Sequence, residues 1–102
     1  MVRVPTDREP THPGEILRED FLEPMGLKQQ ELANAIHVPF QRVNEIVRSR
    51  RAISTSTALR LARYFGTSAG FWMNLQLRYD LYETERSEKE ALEEIEPLHH
   101  AG

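Results

Sequence analysis

The sequence predicts an all-α protein, a single compact domain of five helices. Five segments carry apolar residues at helical spacing, and they are separated by prolines, glycines and serines that typically begin or end helices. A length of 102 residues with 39% hydrophobic content suits one buried core and is too small for two. The chain has no cysteine, so disulfides and thiolate metal sites are excluded and a reducing, cytoplasmic location is expected.

The first predicted helix follows a polar segment, residues 1–12, which we expect to form a flexible arm. The helix begins at His12 or Pro13, since proline is tolerated in a first turn, and it ends at Glu23 because Pro24 follows. Its apolar stripe predicts one buried side. Its outer side is acidic and consists of Glu15, Glu19, Asp20 and Glu23.

The second and third predicted helices form a helix-turn-helix over about residues 28–48. The second helix runs from about Lys28 to Ile36 and turns Leu32, Ala33 and Ile36 inward. The third runs from about Phe40 to Arg48 and turns in Val43, Ile46 and Val47. The three residues between them are too few for anything but a turn. A pair of helices like this is typical of DNA-binding domains, although an ordinary helical hairpin has the same pattern.

The exposed side of the third helix offers polar and cationic groups to base edges in a major groove. We predict that base contacts come from Phe40, Gln41, Asn44, Glu45 and Arg48. Phosphate contacts are expected from Lys28, Gln29, Gln30, Arg42, Arg50 and Arg51. The alternative is that the polar residues are only the solvated side of a helix. Phe40 either touches a thymine methyl group or packs back onto Val43.

The fourth and fifth predicted helices begin at the capping residues Ser54 and Ser68, and Gly66 ends the fourth. The fifth carries more large apolar side chains than one edge of a small bundle can cover, which predicts a homodimer interface. Its candidate residues are Phe71, Trp72, Leu75, Leu77 and Tyr79, of which Trp72 is expected to belong to the core as well as to the interface. The helical domain is expected over residues 13–83, and residues 84–102 are an acidic helix extension or tail.

The net charge of −3 hides a strong segregation of charge along the chain. Residues 28–79 contain eight basic and two acidic residues, whereas residues 1–27 contain three basic and six acidic ones, and residues 80–102 contain two basic and eight acidic ones. A basic centre suits phosphate, and acidic ends suit a basic protein partner. No membrane span, metal site, cofactor, small-molecule substrate or enzymatic nucleophile arrangement is predicted.

Three stretches carry a resemblance to a known family: HPGEIL in the first helix, ALRLA with FGTS in the fourth helix and its exit, and FWMNLQLRYDL in the fifth. They make about residues 12–83 closely similar to the HigA-type antitoxins, also called virulence-associated protein I-like, within the Xre/Cro group. The resemblance implies a λ-repressor-like fold and a homodimer that binds double-stranded operator DNA and represses its own operon.

The same resemblance implies a protein partner, a HigB-type toxin that is a ribosome-dependent mRNA endonuclease. Such a toxin is expected to be basic, so the candidate toxin-binding residues are the acidic ones of the first helix, Glu15, Glu19, Asp20 and Glu23, with the acidic tail as the second surface. A stand-alone regulator of the same family without a toxin is the alternative.

The sequence departs from the family pattern around the third helix. Pro39 stands where a capping side chain is usual, and it has no acceptor for the free amides of the helix. Phe40 occupies a position that is often polar. Lys28 stands where serine or threonine caps the second helix, and His37 and Ser49 occupy turn positions that are usually glycine. These changes affect the DNA sequence preference more than the fold.

Overall fold

The computed structural model describes residues 9–98, and in this part of the chain six helices follow one another without a strand. They are α1 (Pro13–Ile16, continued by Leu17–Leu22 and Glu23–Met25), α2 (Gln29–Ile36), α3 (Phe40–Val47), α4 (Thr55–Phe65), α5 (Ala69–Ser87) and α6 (Lys89–Glu93). The all-α prediction is confirmed, with the short α6 added to the five predicted helices. Most of the predicted arm, residues 1–8, lies outside the described residues.

Helix α1 continues through Pro24, so the predicted end at Glu23 is wrong. Its middle section, Leu17–Leu22, has the wider π-helical geometry, and the amide of Glu23 donates to the carbonyl of Arg18. Proline has no amide to donate, and its ring needs room beside the preceding turn. The wide turn provides that room. The helix ends instead at Gly26, which has the left-handed conformation (φ 61°) that glycine adopts without strain.

The core lies where the first four helices meet the amino-terminal half of α5. The residues predicted to point inward from α2 and α3 are all buried. The buried apolar residues of the described chain are Leu17, Leu22, Leu32, Ala33, Ile36, Val43, Ile46, Val47, Ile53, Ala58, Leu61 and Trp72. Because each of these helices contributes to this one cluster, the helix-turn-helix is held rigidly by the rest of the domain.

Trp72 is at the centre of an aromatic group and is fully buried. Its ring centroid lies 5.0 Å from that of Phe21 and 5.0 Å from that of Phe71, and its indole N–H donates to Oγ1 of Thr67 at 2.8 Å. The predicted core position of Trp72 agrees with this burial. Its side chain leaves no accessible surface for a second copy, so its part in a dimer interface is limited to supporting the exposed residues around it.

The other predicted interface residues of α5 are accessible. Phe71 and Leu77 are exposed, and Leu75 and Tyr79 are half-buried. Leu81, one turn beyond Leu77, is also exposed. The two leucines therefore form an apolar stripe on the outer side of α5 that nothing else in residues 9–98 covers.

Helices α1 and α3 meet through their backbones at Gly14. A Cβ atom on this residue would lie 1.7 Å from the carbonyl oxygen of Ile46 and 2.7 Å from its carbonyl carbon. No side chain larger than hydrogen fits into this space, so the first turn of α1 rests directly on the last turn of α3. The orientation of α3 is thereby fixed by α1.

His12, at the end of the predicted arm, belongs to the folded domain. It is buried and caps α1, with Nδ1 accepting the amide of Gly14 at 2.9 Å. Its ring meets that of Tyr79 edge to face, with centroids 4.8 Å apart. Burial lowers the pKa of His12 below its usual value of 6.5, against the opposing effect of the carboxylates of Glu15 and Asp80. The imidazole is therefore neutral, with its proton on Nε2.

Acidification is expected to destabilise the fold through His12. The unfolded chain binds the proton more tightly than the folded chain does, so stability is fully present above pH 6.5 and is lost as the pH falls from there through the lower folded pKa. The slope from one group is at most about 1.4 kcal/mol per pH unit. Urea titrations from pH 7.5 to 5 measure it. The control is His12→Asn, which keeps a capping acceptor and removes the titration; an identical pH dependence in both proteins would contradict the assignment.

The last part of the described chain does not pack on the core. Every residue from Thr84 to Leu98 is exposed, although α5 continues to Ser87 and α6 follows it. The last part of α5 and α6 thus form an extension that packs on nothing but itself and the preceding helix. Among the described helices, none is long and apolar enough to cross a membrane.

Candidate nucleic-acid interface

The turn between α2 and α3 is held where it leaves α2. His37 ends α2 in the left-handed conformation (φ 62°), and the amide of Val38 donates to the carbonyl of Ala33 at 3.0 Å. Arg60 of α4 donates through Nη1 to the carbonyl of Ile36 at 2.8 Å. The guanidinium thus satisfies a carbonyl left free at the end of α2. The cation thus acts within the domain through a backbone carbonyl and not through a carboxylate.

Helix α3 begins without a side-chain cap. Pro39 precedes it in extended conformation, and no side chain of residues 9–98 accepts its first amides. The amide of Arg42 donates to the carbonyl of Pro39 at 3.0 Å, whereas those of Phe40 and Gln41 remain available to an acceptor outside the chain, and the helix dipole favours an anionic one. Phe40 follows directly and is exposed. Its ring is 44% exposed, so much of it is accessible to a partner outside the chain.

The exposed side of α3 is linked to α2 by one side-chain hydrogen bond. Nδ2 of Asn44 donates to Oε1 of Gln29 at 3.0 Å, and both residues are half-buried. On α2 itself, Nε2 of Gln30 donates to Oδ1 of Asn34 at 3.0 Å. Gln29 and Asn44, predicted to contact a phosphate and a base respectively, thus lie side by side at one end of the motif.

Glu45 is neutralised within the motif. Its Oε1 accepts from Nε of Arg51 at 2.7 Å, and its Oε2 accepts from Nε2 of Gln41 at 3.5 Å. Three arginines in four residues repel one another unless an anion lies between them, and Glu45 is one such anion. The sequence predicts only phosphate as the anion that these arginines contact. The pair was missed because its two residues are six positions apart and join across the end of α3.

Four other cations of the motif have no salt-bridge partner among residues 9–98. They are Lys28, Arg42, Arg48 and Arg50. Lys28 lies at the amino end of α2, where its own amide donates to Glu31 at 2.8 Å and its side chain is exposed. Arg48 and Arg50 follow α3 and are exposed. Together they form a positive surface around the exposed side of α3.

The segment that carries Arg50 and Arg51 is held in place by a hydrogen bond to α5. Ser49 adopts the left-handed conformation (φ 60°), and the amide of Arg50 donates to the carbonyl of Glu45 at 2.8 Å. The amide of Ile53 donates to Oε1 of the buried Gln76 at 2.8 Å, and Gln76 in turn donates to Asp80 at 2.9 Å. Gln76 was not predicted from the sequence, where it looks like any polar residue of an exposed helix. Its role depends on a contact 23 residues away.

The acidic side of α1 is less negative than its sequence indicates. Arg18 donates through Nη2 to Glu19 at 2.9 Å and through Nη1 to Glu23 at 3.0 Å. Asp20 is exposed and has no such partner in the described chain, and Glu15 is half-buried. The surface predicted for a basic protein partner therefore keeps a negative charge, with Asp20 as its least compensated group.

An all-α domain with a tightly held helix-turn-helix and a positive surface around its second helix is a DNA-binding domain by architecture. A family model described as helix-turn-helix matches residues 19–72, more than half of the chain. Virulence-associated protein I of Dichelobacter nodosus is 54% identical over 87 residues, which cover 85% of this chain and 80% of that protein. Antitoxin HigA-1 of Vibrio cholerae is 33% identical over 93 residues, covering 91% and 88%.

A solved structure described as Pseudomonas aeruginosa antitoxin HigA with the higBA promoter is similar over most of its length. The TM-score is 0.85 at 48% identity, and the match covers 88% of this chain and 99% of that one. The chain belongs to the HigA-type antitoxins, which include virulence-associated protein I, within the helix-turn-helix family. The family resemblance predicted from the sequence is thus confirmed, and the family is one of DNA-binding antitoxins and not of enzymes.

Proposed function

We propose that this chain is the antitoxin of a toxin-antitoxin pair, that it represses its own operon as a homodimer, and that it neutralises a HigB-type mRNA endonuclease. Its place of action is then the cytoplasm. The observation that carries the DNA-binding part is the uncapped, exposed start of α3, which is flanked by four cations without a salt bridge in the described chain and held rigidly against α1. The solved relative that carries the higBA promoter supports the same assignment.

In this proposal α3 lies in the major groove and Phe40, Gln41 and Arg48 are its most accessible base-contacting side chains. Asn44 reaches a base by exchanging its bond to Gln29 for one to DNA, which leaves Gln29 free for a phosphate. Glu45 acts differently, because Arg51 already holds its carboxylate. Its role is to orient Arg51 toward the DNA backbone, and not only to contact a base.

Phosphate contacts come from the ring of cations around α3. Lys28, Gln29 and Gln30 approach one strand at the amino end of α2, where the helix dipole also favours phosphate. Arg42, Arg50 and Arg51 approach the backbone on the other side of the groove. Such contacts set affinity and register, and the base contacts set the sequence preference.

The homodimer forms through the outer side of α5. One recognition helix covers only a few base pairs, so useful specificity asks for two half-sites related by a two-fold axis. Leu77 and Leu81 supply the exposed apolar stripe, and Phe71, Leu75 and Tyr79 border it. Because α5 also holds the Arg50–Ile53 segment through Gln76, pairing of α5 would fix the distance between two recognition helices.

The toxin binds on the acidic side of α1, which carries none of the residues assigned to DNA contact, so DNA and toxin are held at once. Asp20 and the carboxylates of Glu15, Glu19 and Glu23 attract a basic surface, and charge attraction speeds the encounter more than it sets the final affinity. Arg18 organises Glu19 and Glu23 in fixed positions. The second acidic surface, after Glu83, is the competing candidate.

Co-expression with the product of the neighbouring reading frame tests the proposal. The unaltered chain is expected to rescue growth and to bind the DNA upstream of its own gene. Reversal of Glu19 and Asp20 to lysine should abolish rescue and leave DNA binding intact, because neither residue is among those assigned to DNA contact. The matched control reverses Glu85 and Glu90, which carry the same charge on the carboxyl-terminal extension.

Three results would contradict parts of the proposal. Rescue by the Glu19 and Asp20 variant together with its loss in the control would move the toxin site to the extension. No rescue by the unaltered chain, with DNA binding retained, would leave a stand-alone regulator. No binding to the upstream DNA would reject repression of its own operon.

A further inference from the structure

A groove of about 550 Å³ lies between the end of α2 and the outer side of α4. Its apolar floor includes Leu59 and Tyr64, which are 62% and 45% exposed, and Ile36 closes its inner end. Exposed leucine and tyrosine side chains side by side in a concave surface are a common mark of a binding site for another protein segment. Nothing in residues 9–98 fills this groove.

The rim of the groove is basic. Arg60 and Arg63 line it, and no acidic residue of the described chain does. Arg60 is engaged by the carbonyl of Ile36, but Arg63 makes no salt bridge within residues 9–98. A segment that combines apolar side chains with carboxylates would therefore satisfy both the floor and the rim.

The same chain carries a segment of that kind. Glu88–Leu98 contains five glutamates and one lysine, and its three large apolar side chains, those of Leu92, Ile95 and Leu98, are 42%, 67% and 78% exposed. Leu92 lies in α6 and Ile95 follows it in a turn, in which the amide of Ile95 donates to the carbonyl of Leu92 at 3.1 Å, so the two side chains are close along the chain. A helix as short as α6 is only marginally stable by itself, and packing against another surface would stabilise it.

The groove and the segment of one copy do not meet. The residues that line the groove come from α2, the turn after it and α4, and none comes from beyond Tyr64 in the described chain. Helix α5, with 19 residues, is about 28 Å long at the usual helical rise, and it carries the segment away from the core. If Glu88–Leu98 occupies the groove, it must therefore come from a second copy.

We propose that Glu88–Leu98 of one copy docks in the groove between α2 and α4 of a second copy. The inference rests on the proposed homodimer. If the two α5 helices cross antiparallel along Leu77 and Leu81, the segment after Ser87 reaches the amino end of the other α5. The other copy's Tyr64 and Arg63 lie there, just before the turn from α4 to α5. Leu92 and Ile95 then cover Leu59 and Tyr64, and Glu93 or Glu94 pairs with Arg63.

Disulfide cross-linking tests the docking, because the chain has no cysteine of its own. Leu59→Cys and Ile95→Cys are made in separate full-length chains, purified, mixed and oxidised. Docking raises the effective thiol concentration from micromolar toward millimolar, so the mixed disulfide should form at least about tenfold faster than with a distant partner. The matched partner is Met25→Cys, at a position 57% exposed and outside the groove. Equal rates for the two pairs would overturn the proposal.

Charge reversal provides the second measurement. Arg63→Glu in the Leu59→Cys chain should slow cross-linking, and Glu93→Arg with Glu94→Arg in the Ile95→Cys chain should restore it. No effect of either change would remove the salt bridge from the proposal. Sedimentation of the unaltered protein separates failure of the homodimer from failure of the docking. A monomer at tens of micromolar rejects the homodimer itself. A dimer with equal cross-linking rates rejects only the docked segment.

Discussion

Replacing Gly14 by alanine is expected to lower the free energy of unfolding by about 3 kcal/mol or more, which is a large part of the stability of a small domain. The added Cβ would overlap the carbonyl of Ile46, and the obstacle is backbone at the end of a packed helix, which has little freedom to move. The first turn of α1 must then separate from α3. The melting temperature, measured by calorimetry, is expected to fall by more than about 10 °C.

Gly70 provides the matched control for this change. It also lies in the first turn of a helix, but its added Cβ would meet only Oγ of Ser68, at 3.9 Å. Gly70→Ala is therefore expected to be neutral or to stabilise the fold by about 0.5–1 kcal/mol, as alanine does in helices. A Gly14→Ala protein that melts within a degree or two of the unaltered protein would contradict the close approach of the two backbones.

The Gly14 variant should also lose operator affinity before it loses helix content. Helix α1 fixes the orientation of α3, so a displaced first turn changes the angle at which α3 enters the groove. DNA binding measured well below the melting temperature separates this effect from unfolding. Unchanged affinity in a destabilised protein would show that α3 keeps its orientation without α1.

Operator binding is expected to weaken by a factor of about 10³–10⁵ between 50 and 200 mM salt if six to ten phosphates are neutralised. Two copies of the cations around α3, together with the glutamines of α2, supply that number of contacts. The logarithm of the binding constant should fall by about 0.9 for each neutralised phosphate per logarithmic unit of salt. Fluorescence anisotropy of a labelled operator over this range measures the slope.

Single substitutions separate this electrostatic contribution from the recognition of the base sequence. Arg50→Ala should flatten the slope by about one for each phosphate that it leaves without a cation, hence by about two for a dimer, and should weaken binding to all sequences alike. Gln41→Ala should leave the slope unchanged and cost roughly 1–3 kcal/mol on the preferred base only. Arg86→Ala, which removes the same charge far from α3, is the control. A binding constant that does not depend on salt would reject the whole interface.

The helix-turn-helix was predictable from sequence because its determinants are local. Periodic leucines, isoleucines and valines define the inner sides of α2 and α3, and Ser54, Ser68 and Gly66 mark helix ends through bonds to residues three or four positions away. The same local rules failed at Pro24, because the wide turn that accommodates it depends on how α1 packs as a whole.

Side-chain pairing in the interface was less accessible to sequence reasoning. The bonds between Glu45 and Arg51, Asn44 and Gln29, and Ile53 and Gln76 join different elements or cross the end of a helix. Each depends on the position of two backbones and on the choice among several rotamers. The extent of Trp72 burial has the same origin: helical spacing predicts a core position, but only the packing of α1 and α4 decides that no part of the ring stays accessible.

The two left-handed residues that bracket the recognition helix, His37 and Ser49, bear on how long this protein survives in a cell. Each holds a side chain in a conformation that costs roughly 1 kcal/mol relative to glycine. That amount changes the unfolded fraction by a factor of about five. Proteases act on the unfolded fraction, so the rate of turnover rises with it. The chain therefore carries, beside its DNA-binding surface, two positions through which single substitutions to glycine would lengthen its lifetime without altering the acidic side of α1.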